Sequence, residues 1–548
     1  MSLSSICVPE TFGSLDFFGT SVLRVEATLV NDFNASIPTY RLVPGQQFLN
    51  ITGLDFCNVT VSYTHPGQND EIHVETWLPT PEKWNGRFKG NGGGGWVAGR
   101  SPDLNTMFMM PAINEGFATA ATDAGVPPNV ADWVLVSKGN TNKVALHNFA
   151  GRSLEEQALI GKAVVKLAYK KAPEYSYFEG CSQGGRQAMT LATRYPTLYD
   201  GIAANAPGLE LNNVLNGWLW PQLLMNLAGE NAPHECEMDA ITAAAIAACD
   251  ELDGVKDGHI DVETEECLSR FDPFSVVGRT INCTANLHPE SGDVGQTLVV
   301  SPLAAKIVNA TWAGALGADY SSTYVGSGIG TDLTGNQPNY ADRTSFSILN
   351  TACKNGTNGE VCVGRPNPLG LWWFKYFTSR DASRNLTGVT REEFNSLLRF
   401  GRQEYAAFIP QPDLTEFHKA GGKMLTFHGT LDQLIPARAT EGFYKSAASR
   451  PGNIHDYWRY FPVQGLHHCF SGTGSTPYTM LKQLQAWVEN GTAPTSSPFD
   501  LLDPATSDVH QRLACAFPQK AAFSRDCGDP KKEKCWSCAG DLSVTSRG

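Results

Sequence analysis

No stretch of this chain approaches the ~20 consecutive apolar residues that cross a bilayer. The opening residues, MSLSSICVPE, lack the basic start and apolar core of a signal peptide. Positive charge is also scarce. With 42 Lys and Arg against 55 Asp and Glu, the net charge is −13, whereas a surface that grips phosphates needs clustered cations. Charged residues are only 18% of the chain and hydrophobic ones 42%, which excludes a disordered polyelectrolyte. Membrane and nucleic acid are therefore set aside as partners, and a globular protein with a large core is expected.

What is present points to the secretory route. The 14 Cys are even in number, many of them in loop-like contexts beside Gly, Asn and Asp. N-x-[ST] sequons occur at Asn34, Asn50, Asn58, Asn282, Asn309, Asn355, Asn385 and Asn490. Together they predict a secreted, extracellular, disulfide-bonded glycoprotein, read here as a mature form whose signal peptide is replaced by a starting Met. Cys535-x-x-Cys538 has no second ligand pair at zinc spacing, so disulfides are expected in the tail that also holds Cys515 and Cys527.

A length of 548 residues exceeds one ordinary domain. From about Cys57, strand-like segments at 58–63, 72–78, 87–90, 117–122, 175–178 and 201–205 alternate with helical ones, including a long helix over 153–171. That alternation predicts a parallel sheet covered by helices. It stops after Ala206-Pro207-Gly208 and resumes with strands at 422–429 and 455–463 and a helix at 478–490. The fold class expected is an α/β-hydrolase core, residues 1–207 and 413–548. A lid of about 200 residues, 208–412, is inserted between the nucleophile strand region and the acid-bearing strand.

Chemistry enters with Gly180-Cys181-Ser182-Gln183-Gly184, a G-x-S-x-G pentapeptide between a strand-like run and a helix. In that setting the Ser is held on a tight corner with its hydroxyl exposed, and small neighbours let backbone pass backbone. A neutral hydroxyl needs a base to take its proton, and the base needs a carboxylate to set its tautomer. The order Ser, Asp, His is met by Asp432, just past the 422–429 strand, and by His467 or His468, just past the 455–463 strand. His428, at the same strand end as Asp432, reads as structural. Position alone does not separate His467 from His468. The cysteines do: Cys181 adjoins Ser182 and Cys469 adjoins His468, so a Ser–His hydrogen bond would bring the two Cys within disulfide reach.

Two further segments stand out. Asn91-Gly-Gly-Gly-Gly95-Trp96 has neither the Gly-Lys-[ST] nor the G-x-G-x-x-G spacing of a phosphate cradle. In a hydrolase, the loop after this early strand supplies one oxyanion-hole amide and the residue after the nucleophile supplies the other. That selects Gln183 with Gly94 or Gly95, a plain flexible turn being the alternative. The second segment, Cys249 to Asp261, gathers Asp250, Asp253 and Asp257 around Gly254 and Gly258 and is closed by Cys267. It reads as a loop around a hard cation or as an exposed acidic turn. Its spacing does not fit an EF-hand.

Gly-Cys-Ser-x-Gly-Gly, a later Gly-x-x-Asp and a final His-Cys resemble the fungal tannase and feruloyl esterase family, over most of the chain. The resemblance implies the triad Ser182, Asp432 and His468 and a Cys181–Cys469 disulfide. It implies a structural calcium ion in the lid, held by the side chains of Asp250, Asp253 and Asp257 and the carbonyls of Val255 and His259. It also implies hydrolysis of phenolic acid esters, feruloyl (hydroxycinnamoyl) esters first and gallate esters (tannase) second. The substrate would be a small aromatic ester or a feruloylated oligosaccharide, and the enzyme a monomer or homodimer. Aromatic clusters at Trp218-Leu-Trp220 and Trp372–Phe377 offer stacking surfaces for a planar acyl group, or simply lid core. A peptidase would share the triad, whereas an esterase-shaped binding protein would lack part of it.

Overall fold

The computed structural model describes residues 2–38, 48–229, 231–260, 264–283, 295–316, 324–336, 347–356, 359–470, 472–503, 506 and 508–544. Nine strands form one sheet: β1 (Ser21–Pro38), β2 (Phe48–Thr64), β3 (Ile72–Pro79), β4 (Arg87–Asn91), β5 (Ala118–Thr122), β6 (Tyr175–Cys181), β7 (Gly201–Asn205), β8 (Lys423–Gly429) and β9 (Trp458–Val463). Their order across the sheet is β1-β2-β3-β5-β4-β6-β7-β8-β9.

From β5 onward every neighbour is parallel, whereas β1, β2, β3 and β5 pair antiparallel. The wholly parallel sheet expected from residue 57 is therefore half right. Only seven residues join β2 to β3, and a parallel crossover needs a dozen or more. The strand β1 escapes the sequence reading because most of it is exposed or half-buried, which blunts the apolar alternation that marks a strand.

The central strands alternate by side-chain face. Phe178, Ile202, Met424 and Trp458 enter a core covered by the helices α1 (Ser153–Tyr169), α2 (Gln183–Arg194) and α3 (Ala437–Ala448). Tyr177, Ala203, Leu425 and Phe461 enter a second core under α4 (Met480–Asn490). At Gly161 of α1, a Cβ would meet the Phe88 ring at 2.6 Å, so the helix lies close on β4 only because that residue has no side chain.

Among the described residues of 206–422, no strand joins the nine-stranded sheet. This insert has its own core around Met238, Ile241, Ile307, Val308 and Trp312. That core continues without a break into Trp96, Trp133 and Phe149 of the sheet-bearing part. All 14 Cys are paired, as Cys7–Cys57, Cys181–Cys469, Cys236–Cys283, Cys249–Cys267, Cys353–Cys362, Cys515–Cys538 and Cys527–Cys535. Cys535 and Cys538 bond to different partners, so the zinc alternative falls away. No helix among the described residues is long and apolar enough to cross a membrane.

Candidate active site

The corner between β6 and α2 places Ser182 at φ +65° and ψ −121°, a left-handed conformation that an L-residue adopts only under constraint. Its glycines make the corner possible. A Cβ on Gly180 would lie 2.4 Å from the Gly184 carbonyl carbon, and one on Gly185 would lie 2.3 Å from the Asn205 oxygen. The Ser182 amide donates to the Asn205 carbonyl (3.1 Å), which ties the corner to the end of β7.

The loops after β8 and β9 bring the other two groups. His468 Nε2 lies 2.7 Å from Ser182 Oγ, and His468 Nδ1 lies 2.8 Å from Asp432 Oδ2. Asp432 is 1% exposed, and its Oδ1 accepts the amides of Leu434 (2.9 Å) and Ile435 (2.8 Å). Burial opposes its charge, but His468 and the hydrogen bond from His428 hold its carboxyl well below the usual carboxylate range. Cys181 and Cys469 are bonded, with Cα atoms 6.0 Å apart across 288 residues of sequence.

The adjacent His467 turns away. It is 2% exposed, and a Cβ on Gly472 would lie 2.6 Å from its ring. Burial pulls its pKa down to about 4. The pair is thus resolved for His468, on the geometry as on the cysteines.

His428 lies closer to the site than its sequence reading allows. It is fully buried, with Nε2 3.0 Å from Asp432 Oδ2 and 2.7 Å from the Ile435 carbonyl. A carbonyl only accepts, so Nε2 carries the hydrogen, while Nδ1 meets the Thr440 hydroxyl at 2.9 Å. Three more side chains escaped the sequence. Gln433 Oε1 accepts the His468 amide (3.1 Å). Fully buried Arg186 donates from Nε to Gln183 Oε1 (2.8 Å). Gln187 clamps the Gly-rich loop, accepting from the Gly93 amide and donating to the Ala98 carbonyl, both at 2.8 Å. Their signal was available only as spacing from the motifs: Arg186 and Gln187 follow Ser182 on the first turns of α2, and Gln433 adjoins Asp432.

Within that loop the Gly94 amide donates to the Val97 carbonyl (3.1 Å). Of the two glycines, Gly94 is therefore committed to the loop itself, whereas Gly95 stands at φ +56°. Leu369 of the insert packs over Gly95, 3.7 Å from where a Cβ would stand. Trp96 stacks on Phe377 with centroids 4.5 Å apart, and Trp373 stacks on Phe377 at 4.8 Å. Trp218, Trp220, Trp373, Phe374 and Phe377 are all buried, with Trp218 Nε1 bonded to the Leu434 carbonyl. These aromatics are the seam between insert and loops. Their burial fits lid core better than an open stacking surface, while Trp372 and Tyr376 of the same run are half-buried.

The acidic segment is closed by Cys249–Cys267, with Gly254 at φ +91° and Gly258 at φ +82°. Asp250, mostly buried, accepts the amides of Asp257 (3.1 Å) and Gly258 (3.0 Å). Asp253, exposed, accepts that of Val255 (2.9 Å). Asp257 accepts the His259 amide (3.2 Å) and meets Arg512 at 3.1 Å. Three carboxylates and neighbouring carbonyls are an all-oxygen donor set that fits a hard cation in chemistry, although among the described residues Asp250, Asp253 and Asp257 do not stand close enough together to share one ion.

A nucleophile corner, a late acid and a late His around one mixed sheet define an α/β-hydrolase. The family model described as tannase and feruloyl esterase matches residues 57–539. A probable feruloyl esterase of Arthroderma benhamiae is 35% identical over 90% of this chain and 87% of its own. A tannase of Aspergillus oryzae is 27% identical over 89% and 87%. Among solved structures, tannin acyl hydrolase from Aspergillus niger has a TM-score of 0.82 at 24% identity. It covers 98% of this chain and 96% of its own, a likeness that speaks for the fold. The chain belongs to the tannase and feruloyl esterase family and is a carboxylic ester hydrolase.

Proposed function

We propose that this enzyme cleaves esters of phenolic acids, hydroxycinnamates such as ferulate before gallates, through an acyl-enzyme on Ser182. The observation that carries the mechanism is the unbroken chain Ser182 Oγ–His468–Asp432. Ser182 Oγ attacks the ester carbonyl as His468 Nε2 takes its proton, and the oxyanion is held by the amides of Gln183 and Gly95. His468 returns the proton to the leaving alcohol, then activates the water that releases the acid. Asp432 keeps the imidazole oriented and stabilises its charged form. The ranking of substrates rests on the relatives' names, 35% identity to a probable feruloyl esterase against 27% to a tannase.

The wider setting is part of the same reading. Seven disulfides support an extracellular enzyme acting on feruloylated plant cell-wall polysaccharide. So do the exposed sequon residues Asn34, Asn50, Asn282, Asn355, Asn385 and Asn490. Residues 208–412 act as a lid over the nucleophile. A structural calcium ion would be held by Asp250, Asp253 and Asp257 with the carbonyls of Val255 and His259. It would neutralise the buried carboxylate, and no step of ester cleavage passes through it.

Ser182→Ala should abolish hydrolysis of methyl ferulate with an unchanged circular dichroism spectrum; turnover above background would refute the nucleophile. On the native enzyme, kcat/KM for methyl ferulate should exceed that for methyl gallate. A clear preference for gallate would reverse the ranking.

A further inference from the structure

Beside the Gly-rich loop lies a cleft of about 760 Å³ that the chemistry at Ser182 does not use. Val97 and Ala98, the end of that loop, form one wall, and Asp123, just past β5, forms another. Glu71, His73 and Glu75, at the start of β3, complete it. The strands β5, β4 and β6 are adjacent and parallel, so the loops after β5 and β4 share a sheet edge with Ser182. At ~4.8 Å per strand, β5 stands about 10 Å from β6. A ligand with its reacting end at Ser182 and two or three ring units beyond it would reach the cleft.

The chemistry of the cleft favours a neutral, hydroxyl-rich occupant. Glu71 pairs with Arg24 (2.8 Å), Glu75 with Arg100 (2.8 Å), and Asp123 with Arg100 (3.5 Å) and His73 (3.9 Å). Three carboxylates thus face two guanidinium groups and an imidazole. Many donors and acceptors converge there with little net charge. Among the described residues, none of these side chains belongs to a group of three close enough to share one metal ion. Phe33 and the prolines 102, 127 and 128 add apolar faces of the kind that sugar rings cover.

An independent observation asks for a ligand. Asn105 lines the cleft and is 6% exposed, yet its buried Oδ1 has no hydrogen-bond partner. Such a buried acceptor, left without a donor, is costly to keep. It sits at the first position of a single π-helical turn, Asn105–Met109, a distortion often kept at functional sites.

We propose that this cleft is a subsite for the carbohydrate part of an esterified oligosaccharide, with a ligand hydroxyl donating to Asn105 Oδ1. The position of the acyl end rests on the esterase reading above, whereas sugar binding in the cleft does not. Two measurements separate them. Titration of Ser182→Ala with unesterified xylotetraose should give a binding isotherm, which Asn105→Ala or Glu71→Ala in the same background weakens about tenfold. In the active enzyme, the ratio of kcat/KM on a feruloylated xylo-oligosaccharide to that on methyl ferulate should fall about tenfold in the same two variants. No binding of xylotetraose, or an unchanged ratio in both variants, overturns the subsite. Failure of the native enzyme on both esters overturns the esterase reading and leaves the titration to judge the cleft. Glu71 is exposed, so Glu71→Ala decides the matter if Asn105→Ala does not fold.

Discussion

Asp432 takes hydrogen bonds from two histidines, and only one of them can move a proton to substrate. His468 reaches Ser182, whereas His428 is walled in and spends its Nε2–H on Asp432 and the Ile435 carbonyl. We read His428 as a positioning residue that stops the carboxylate from swinging away from His468. His428→Ala should therefore lower kcat about tenfold, about 1.4 kcal/mol of barrier, with little change in KM. The same substitution strands a buried carbonyl and should cost about 1–3 kcal/mol of stability. Unchanged kcat with lowered Tm would reduce His428 to a packing residue. His467 gives a different signal. Folded, it takes a proton only near pH 4, while the unfolded chain takes one near pH 6.5. Protons between those values favour the unfolded state. The stability is therefore complete above about pH 6.5 and drains away as pH falls toward 4, by up to about 3 kcal/mol. Thermal midpoints measured across that range should fall with pH, and His467→Asn should flatten the slope.

At the scale of elements, three segments far apart in sequence meet at one sheet edge, and each was legible for a local reason. The corner needs small residues around Ser182, and the acid and base loops follow apolar strands. Such requirements are written within about ten residues, so the sequence displays them. The partners of the triad are written in tertiary contact. Gln433, Arg186 and Gln187 look like ordinary polar side chains until the loops are folded together. The aromatic runs left stacking surface and lid core both open for a related reason, because composition does not say which face of a ring is already covered. Trp96, Phe377 and Trp373 stack on one another and hold the Gly-rich loop under the insert. The Cys181–Cys469 bond fastens nucleophile loop to base loop. The chain-entropy model gives about 5–6 kcal/mol for so long a loop, an upper figure. Replacing both cysteines by serine should lower Tm and kcat together; an unaltered kcat at a temperature where the variant is folded would show that the bond serves stability alone.

For the whole molecule, the question is what holds the insert to the rest. Besides the aromatic seam, the acidic segment meets the C-terminal hairpins: Arg512 pairs with Asp257, and Val255 packs with Cys535 and Trp536. If calcium binds there as proposed, removing it with a chelator should lower the thermal midpoint, and adding calcium back, but not magnesium, should restore it. An Asp253→Asn variant should lose that response. A midpoint indifferent to chelator in the native enzyme would rule the ion out.

The 288-residue span between Cys181 and Cys469 also bears on how activity first arises. A growing chain displays its nucleophile hundreds of residues before the base exists, so every chain that stops short of His468 lacks the base its Ser182 needs. Regained turnover after unfolding would consequently time the meeting of Ser182 with His468, making the enzyme's own substrate a clock for the late, non-local steps of its folding.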